Sequence, residues 1–254
     1  MIETNDQREE KYQSLVEHLG ELRTRIVYSG YALIIATVLC YGFSEKIFHF
    51  VRLPIAPYLP SGGLVFTAPM DKFIAHLKIS FVCGVILSCP FWLYQIWLFV
   101  APGLYQKERK YGMGFIGVGS LLFFLGSAFS YYVVLPMAFK FLMTYGGDID
   151  KPMITIDHYL GFFTQMCLVF GLAFELPLIL IMLGLLGIVS QKFLREKRRY
   201  AIMTLSVTAA IITPPDLLSM ILMLVPMVVL YEIAVFFVGF FEKKKALQSV
   251  NERE

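Results

Sequence analysis

The sequence predicts an all-α, polytopic membrane fold of six transmembrane helices, and three observations carry that prediction. The 254 residues are 57% hydrophobic and only 16% charged, against about 25% charged in a soluble domain. The missing charge is concentrated: residues 79–106 hold no Asp, Glu, Lys or Arg over 28 positions, and residues 111–139 hold none over 29. A bilayer crossing takes about 20 apolar residues, so each run is long enough to span. Between the runs stand helix-breaking clusters, Pro54, Pro57, Pro60, Gly62 and Gly63 in one place and Thr213-Pro214-Pro215-Asp216 in another.

The whole chain, 1–254, reads as a single integral-membrane domain. An amphipathic helix is expected over 8–25, because Leu15, Leu19, Leu22 and Ile26 recur at helical spacing along one stripe. His18, Glu21 and Arg25 lie on the flank of that stripe. The helix leads into a first span over 26–43. The first 25 residues hold six acids and four bases and no short apolar stretch ending in a small-residue cleavage site, so the first span is expected to act as its own insertion signal. In the loop 44–71 the prolines and glycines forbid a continuous helix. Span two follows over 73–99, with Lys78 near one end, where its stem snorkels to the interface.

Residues 101–110 form a polar connector. Span three, 111–143, is longer than a bilayer needs and carries Pro136 in its last third, so it is expected to project beyond the membrane. A loop with Asp148, Asp150 and Asp157 precedes span four, 158–188, which contains Glu175. The basic cluster Lys192, Arg195, Lys197, Arg198 and Arg199 then leads to span five, 200–212, and span six, 217–241, which ends in Lys243-Lys244-Lys245. Thirteen residues at 1.5 Å each cover roughly 20 Å, less than the ~30 Å hydrocarbon core. The Pro-Pro turn is therefore expected inside the outer half of the bilayer, or the bilayer thins around it.

Charge sets the orientation. Sixteen of the 22 Lys and Arg residues lie on the side shared by both termini, five on the other, and Lys78 within span two. The positive-inside rule then places both termini in the cytoplasm.

Several functions are excluded or disfavoured. A net charge of +3 without a basic, aromatic-interleaved stripe argues against nucleic-acid binding. Cys40, Cys83, Cys89 and Cys167 sit inside apolar runs without paired metal-ligand spacing and read as packing residues. Gly112-Met113-Gly114-Phe115-Ile116-Gly117 is a literal G-x-G-x-x-G, but it follows no strand and opens a membrane helix. It reads as a close helix contact, not a dinucleotide site. With no phosphate-binding loop and no His-Glu-x-x-His, no catalytic residue, metal or cofactor is expected.

The acids carry the remaining information. Glu175, midway along span four, is costly in lipid, and intramembrane acids face a cavity or a partner. It is either a functional group or a structural acid paired with Gln165, Lys78 or backbone. The neighbouring Pro177 adds a kink that frees carbonyls nearby. Glu21 has Arg25 at i+4, the favourable order for an ordinary helix ion pair. Glu108, within Lys107-Glu108-Arg109-Lys110, looks equally ordinary. Yet both acids lie at the cytoplasmic interface among bases that keep them ionised. A ligand with paired arginines is equipped to compete for them, since a guanidinium meets a carboxylate with two parallel bonds where lysine cannot. Asp216 reads as a cap for span six, and Glu232 as an acid snorkelling near its cytoplasmic end.

Four stretches together resemble the TatC family, the core subunits of the twin-arginine protein translocase. They are His18-Leu19-x-Glu21-Leu22-Arg23-x-Arg25; Tyr94-Gln95-x-Trp97-x-Phe99-x-Ala101-Pro102-x-Leu104-Tyr105-x-x-Glu108-Arg109; Phe170-Gly171-x-x-Phe174-Glu175-x-Pro177; and Thr213-Pro214-Pro215-Asp216. They fall in family order, and the six-span plan agrees. The resemblance implies a receptor for Arg-Arg signal peptides that helps move folded precursors across the bacterial cytoplasmic (inner) membrane, driven by the proton-motive force. It implies that Glu21 and Glu108 form the recognition patch with Phe99 close by, Arg23 and Arg109 belonging to the same motifs. Glu175 would lie on the concave face of a glove-shaped arrangement and meet the single-span partners TatA and TatB. Thr213 would belong to the polar patch that docks those partners, and Pro54 and Asp216 to outer elements needed for assembly or transport. Assembly with further copies of itself and with TatB is likewise implied. Here Ser219-Met220 stands where many members carry Ser-Gln. The rival reading, a proton-coupled secondary transporter using Glu175, requires an internal repeat with broken helices at matching positions, and the halves of this chain do not repeat.

Overall fold

Backbone polar groups in lipid have no water to bond to, so each apolar run must satisfy its own ladder and becomes a helix. The computed structural model describes the backbone of residues 5–59, 63–103, 112–144, 153–212 and 217–251, with side chains for these except 5–18, 212, 218–219 and 243–251. Five helical stretches are long and apolar enough to cross a bilayer: Leu19–Tyr41, Asp71–Val100, Gly112–Thr144, Ile156–Leu185 and Met220–Glu242. The chain is a multi-pass, all-helical membrane protein; among the described residues the sole β-pairing is an isolated bridge, Val65 to Thr155.

The amphipathic stretch and first span form one unbroken helix, α1 (Asn5–Tyr41). Helix α3 (Asp71–Val100) runs back antiparallel to it. Their contact is close at Gly84, where a Cβ would lie 2.4 Å from Thr37 Oγ1; only a residue without a side chain lets the two backbones approach so nearly. Just 6% of the α1 span is buried, against 39–50% of the other four, so α1 is an outer helix held chiefly by α3.

The loop after α1 holds more structure than its prolines suggest. Breakers begin only at Pro54, which leaves Ser44–Arg52 free to form α2. Ile47, Phe48 and Val51 turn inward from α2, while Glu45, Lys46 and Arg52 are exposed. The Tyr131 hydroxyl donates to the Phe50 carbonyl at 2.8 Å and the Tyr159 hydroxyl to the Val51 carbonyl, pinning α2 over this end of the bundle. Val65 N–H donates to Ile154 O at 3.0 Å and Ile156 N–H to Val65 O at 2.8 Å, tying the two loops of that end together.

The third crossing is α4 (Gly112–Phe129), a widened π-helical turn (Ser130–Val134) and α5 (Leu135–Thr144). Pro136 lacks the N–H that Tyr132 would receive, and the wide turn lies just ahead of it, as such insertions do where a helix ladder is interrupted. The fourth is α6 (Ile156–Phe174) and α7 (Leu176–Leu185), broken at Glu175. Gly187, at φ 75°, turns the chain out of α7. A short α8 (Gln191–Glu196) leads to α9 (Arg198–Ile212), whose 15 residues are shorter than the five spanning stretches, and then to α10 (Leu217–Asn251), whose apolar stretch Met220–Glu242 has 23 residues, so the sixth span is not short as its sequence suggested. Ser190 caps α8 by accepting from Phe193 N–H.

The core runs through α3, α6 and α10, where Ile79, Leu160, Met166, Phe170 and Met223 are at most 1% exposed. The glycine-rich start of α4 is only partly a contact surface. Gly112 lies against the Trp97 indole, but Gly114 and Gly117 face open space, so the close-contact reading fails for those two. The other close approaches on this helix are at Gly119 and at Gly126, where a Cβ would lie 2.4 Å from the Phe170 carbonyl oxygen, both outside the motif.

Candidate functional site

At the basic end of the bundle, α1 and α3 meet through polar groups. Arg25 donates from Nη2 to Glu21 Oε1 at 3.0 Å and from Nη1 to Gln95 Oε1 at 3.5 Å. The Glu21 and Arg25 side chains are about one-third and one-quarter exposed, while Gln95 is buried at 6%. The sequence anticipates the first contact, one helical turn along α1, but not the second, which joins residues 70 positions apart. The antiparallel register set by Thr37 on Gly84 and Arg25 on Gln95 places Glu21 level with Phe99, half-buried in the last turn of α3. Trp97 is buried beside it and packs on Phe115 with ring centroids 5.0 Å apart.

Arg23 is exposed. Two positions from Glu21, it points to a different face of α1, so the guanidinium that meets Glu21 is Arg25. Glu108 and Arg109 lie outside the described residues, as do Thr213 and Asp216.

Glu175 occupies the opposite environment. It is 4% exposed, and neither carboxylate oxygen has a hydrogen-bond partner. Of the expected partners, Lys78 is committed elsewhere, to Asp157 at 2.5 Å. The break that presents Glu175 is local in origin. Pro177 sits in the first turn of α7, where its missing N–H costs nothing, and Glu175 N–H bonds back to Leu172 O at 3.1 Å. Gly119 of α4 faces it, where a Cβ would lie 3.2 Å from Oε2 and under 3 Å from Leu93 and Leu178. The result is a carboxylate held in an apolar notch among three helices, a costly arrangement unless a partner or a proton arrives.

Two other predicted positions are resolved. Pro54 is half-buried in the turn after α2, between buried Val51 and Ile55, and so shapes the cap at the far end. Glu232 accepts from Arg198 at 2.7 Å, joining α10 to α9.

Comparison with known proteins follows the same lines. Residues 17–226 match the family described as Sec-independent protein translocase protein (TatC). A Desulforapulum autotrophicum protein of that name is 39% identical over 94% of this chain and 88% of its own length. The Escherichia coli protein of that name is 37% identical over 92% of each. Two crystal structures of the twin-arginine translocase receptor TatC superpose with TM-scores of 0.77 and 0.79 at 34% identity, each covering 87% of this chain. They cover 97% and 99% of the solved chains.

Proposed function

The chain belongs to the TatC family of Sec-independent protein translocase proteins, and from that premise we propose that it is the receptor subunit for Arg-Arg signal peptides. The observation that carries the reading is the half-exposed Glu21 carboxylate level with Phe99 at the basic end of the bundle. Glu108, on the connector that leaves α3 at that end, supplies the second acid. Two carboxylates on adjoining elements clamp two guanidinium groups, with Arg23 and Arg109 beside them in the same two motifs. Phe99 offers an aromatic face beside them. No covalent step is involved. Bonds to charged groups contribute about 1.5–3 kcal/mol each, reduced here by solvent screening.

The protein lies in a bacterial cytoplasmic (inner) membrane with both termini inside, on the charge asymmetry of its loops. TatA- and TatB-type single-span subunits are its partners. Glu175, buried without a partner in this chain alone, is suited to receive a polar group from such a helix, and Thr213 to flank it. Pro54 and Asp216 shape the outer turns that assembly needs. The short fifth crossing thins the bilayer locally, which lowers the barrier to moving folded precursors under the proton-motive force.

The test is the affinity of the purified protein for an Arg-Arg signal peptide and its Lys-Lys counterpart, in wild type and Glu108→Gln. Preference for Arg-Arg that disappears in the variant supports the reading. Equal, weak binding of both peptides by wild type overturns it.

A further inference from the structure

The receptor carboxylate is already occupied by an arginine of its own chain. Arg25 places one terminal nitrogen on Glu21 Oε1 at 3.0 Å and turns the other toward Gln95 Oε1 at 3.5 Å, while its Nε is buried with no hydrogen-bond partner. The guanidinium is thus under-bonded where it sits and touches two acceptors of different kinds. One is a charged group open to solvent, the other a neutral amide buried between the helices. A guanidinium arriving from outside meets Glu21 with two parallel bonds, against the single bond that Arg25 makes through Nη2. Once displaced, Arg25 need not become a buried unpaired charge, because Gln95 remains within reach to accept from it.

We propose that Arg25 is a built-in competitor for Glu21, which an incoming arginine displaces onto Gln95. The inference rests on the receptor reading above and adds its regulation. A resident competitor lowers affinity for any ligand of Glu21 by the same factor, so Arg25 sets how readily a bound peptide is released and leaves Arg-over-Lys preference to the acids. Gln95 is the positioning residue that stabilises the displaced state.

Simple loss of a positive charge would also tighten binding of a cationic peptide, so the test uses a cycle. Affinity for an Arg-Arg peptide is measured on the full-length protein in lipid nanodiscs for wild type, Glu21→Gln, Arg25→Gln, the double variant, and Gln95→Leu with and without Arg25→Gln. Arg25→Gln is expected to tighten binding about two- to fivefold, the scale of a helix-surface ion pair plus local charge. In the Glu21→Gln background the same change is expected to give a smaller gain, from charge alone. Gln95→Leu should weaken binding, and only while Arg25 is present. An equal gain from Arg25→Gln in both backgrounds overturns competition. Weakening by Arg25→Gln also overturns it, since Arg25 would then hold Glu21 in place. If Glu21→Gln leaves wild-type affinity unchanged, the receptor role of Glu21 fails, a result distinct from either outcome at Arg25.

Discussion

Glu21 and Glu175 are two carboxylates of one chain in opposite surroundings. Glu21 is half-exposed, stands at the basic end and shares its charge with Arg25 at 3.0 Å. Glu175 is buried mid-span, with no partner for either oxygen. On the proposed reading, the first exchanges one cation for another in contact with water. The second is unfinished without something from outside the chain. A carboxylate that binds a soluble charged peptide must keep its hydration within reach, whereas one that meets a membrane helix gains from being dry.

The sharpest way to break this comparison is to remove the unfinished acid. Glu175→Leu should raise stability by about 1–3 kcal/mol, because it deletes buried acceptors that bond to nothing, yet abolish export of an Arg-Arg reporter. Unfolding in mild detergent and an export assay read the two effects; a large loss of stability would mean that Glu175 has a partner within the fold. Next, Gly119→Val fills the notch opposite Glu175, where a Cβ already falls 2.8 Å from Leu178 and 2.9 Å from Leu93. Overpacking of this kind costs about 1–3 kcal/mol, again measured by unfolding. Glu21 and Arg25 should behave as a modest pair: Glu21→Gln should change stability by less than about 1 kcal/mol while weakening peptide binding about tenfold, the loss of one screened bond to a charged group. Smallest of all, Glu232→Gln breaks the exposed Arg198 pair and should cost only tenths of a kcal/mol, as exposed pairs do.

How much of this was legible in the sequence follows from the range of each interaction. Uncharged runs, the break near Pro177 and the i,i+4 pair of Glu21 with Arg25 are local, so composition and spacing were enough. Helix α2 is hard to see in the sequence because prolines follow it directly, although Ser44–Arg52 contains none. Lys78 illustrates the opposite failure. Sequence offered it as a partner for Glu175, but its true partner, Asp157, is 79 positions away at the far end of the bundle. Gln95 could not be singled out from one chain, since its role depends on the antiparallel register of α1 and α3. The Gly114 and Gly117 positions matched a motif and touch nothing, which shows that spacing alone does not decide a helix contact.

The division of labour between the two acids is tested most directly by measuring peptide affinity and export together in Glu21→Gln and Glu175→Gln. The expected result is that Glu21→Gln loses affinity for the Arg-Arg peptide, whereas Glu175→Gln binds it as wild type does and fails at export. Loss of affinity in Glu175→Gln as large as that in Glu21→Gln would contradict the separation and place both carboxylates in a single binding site.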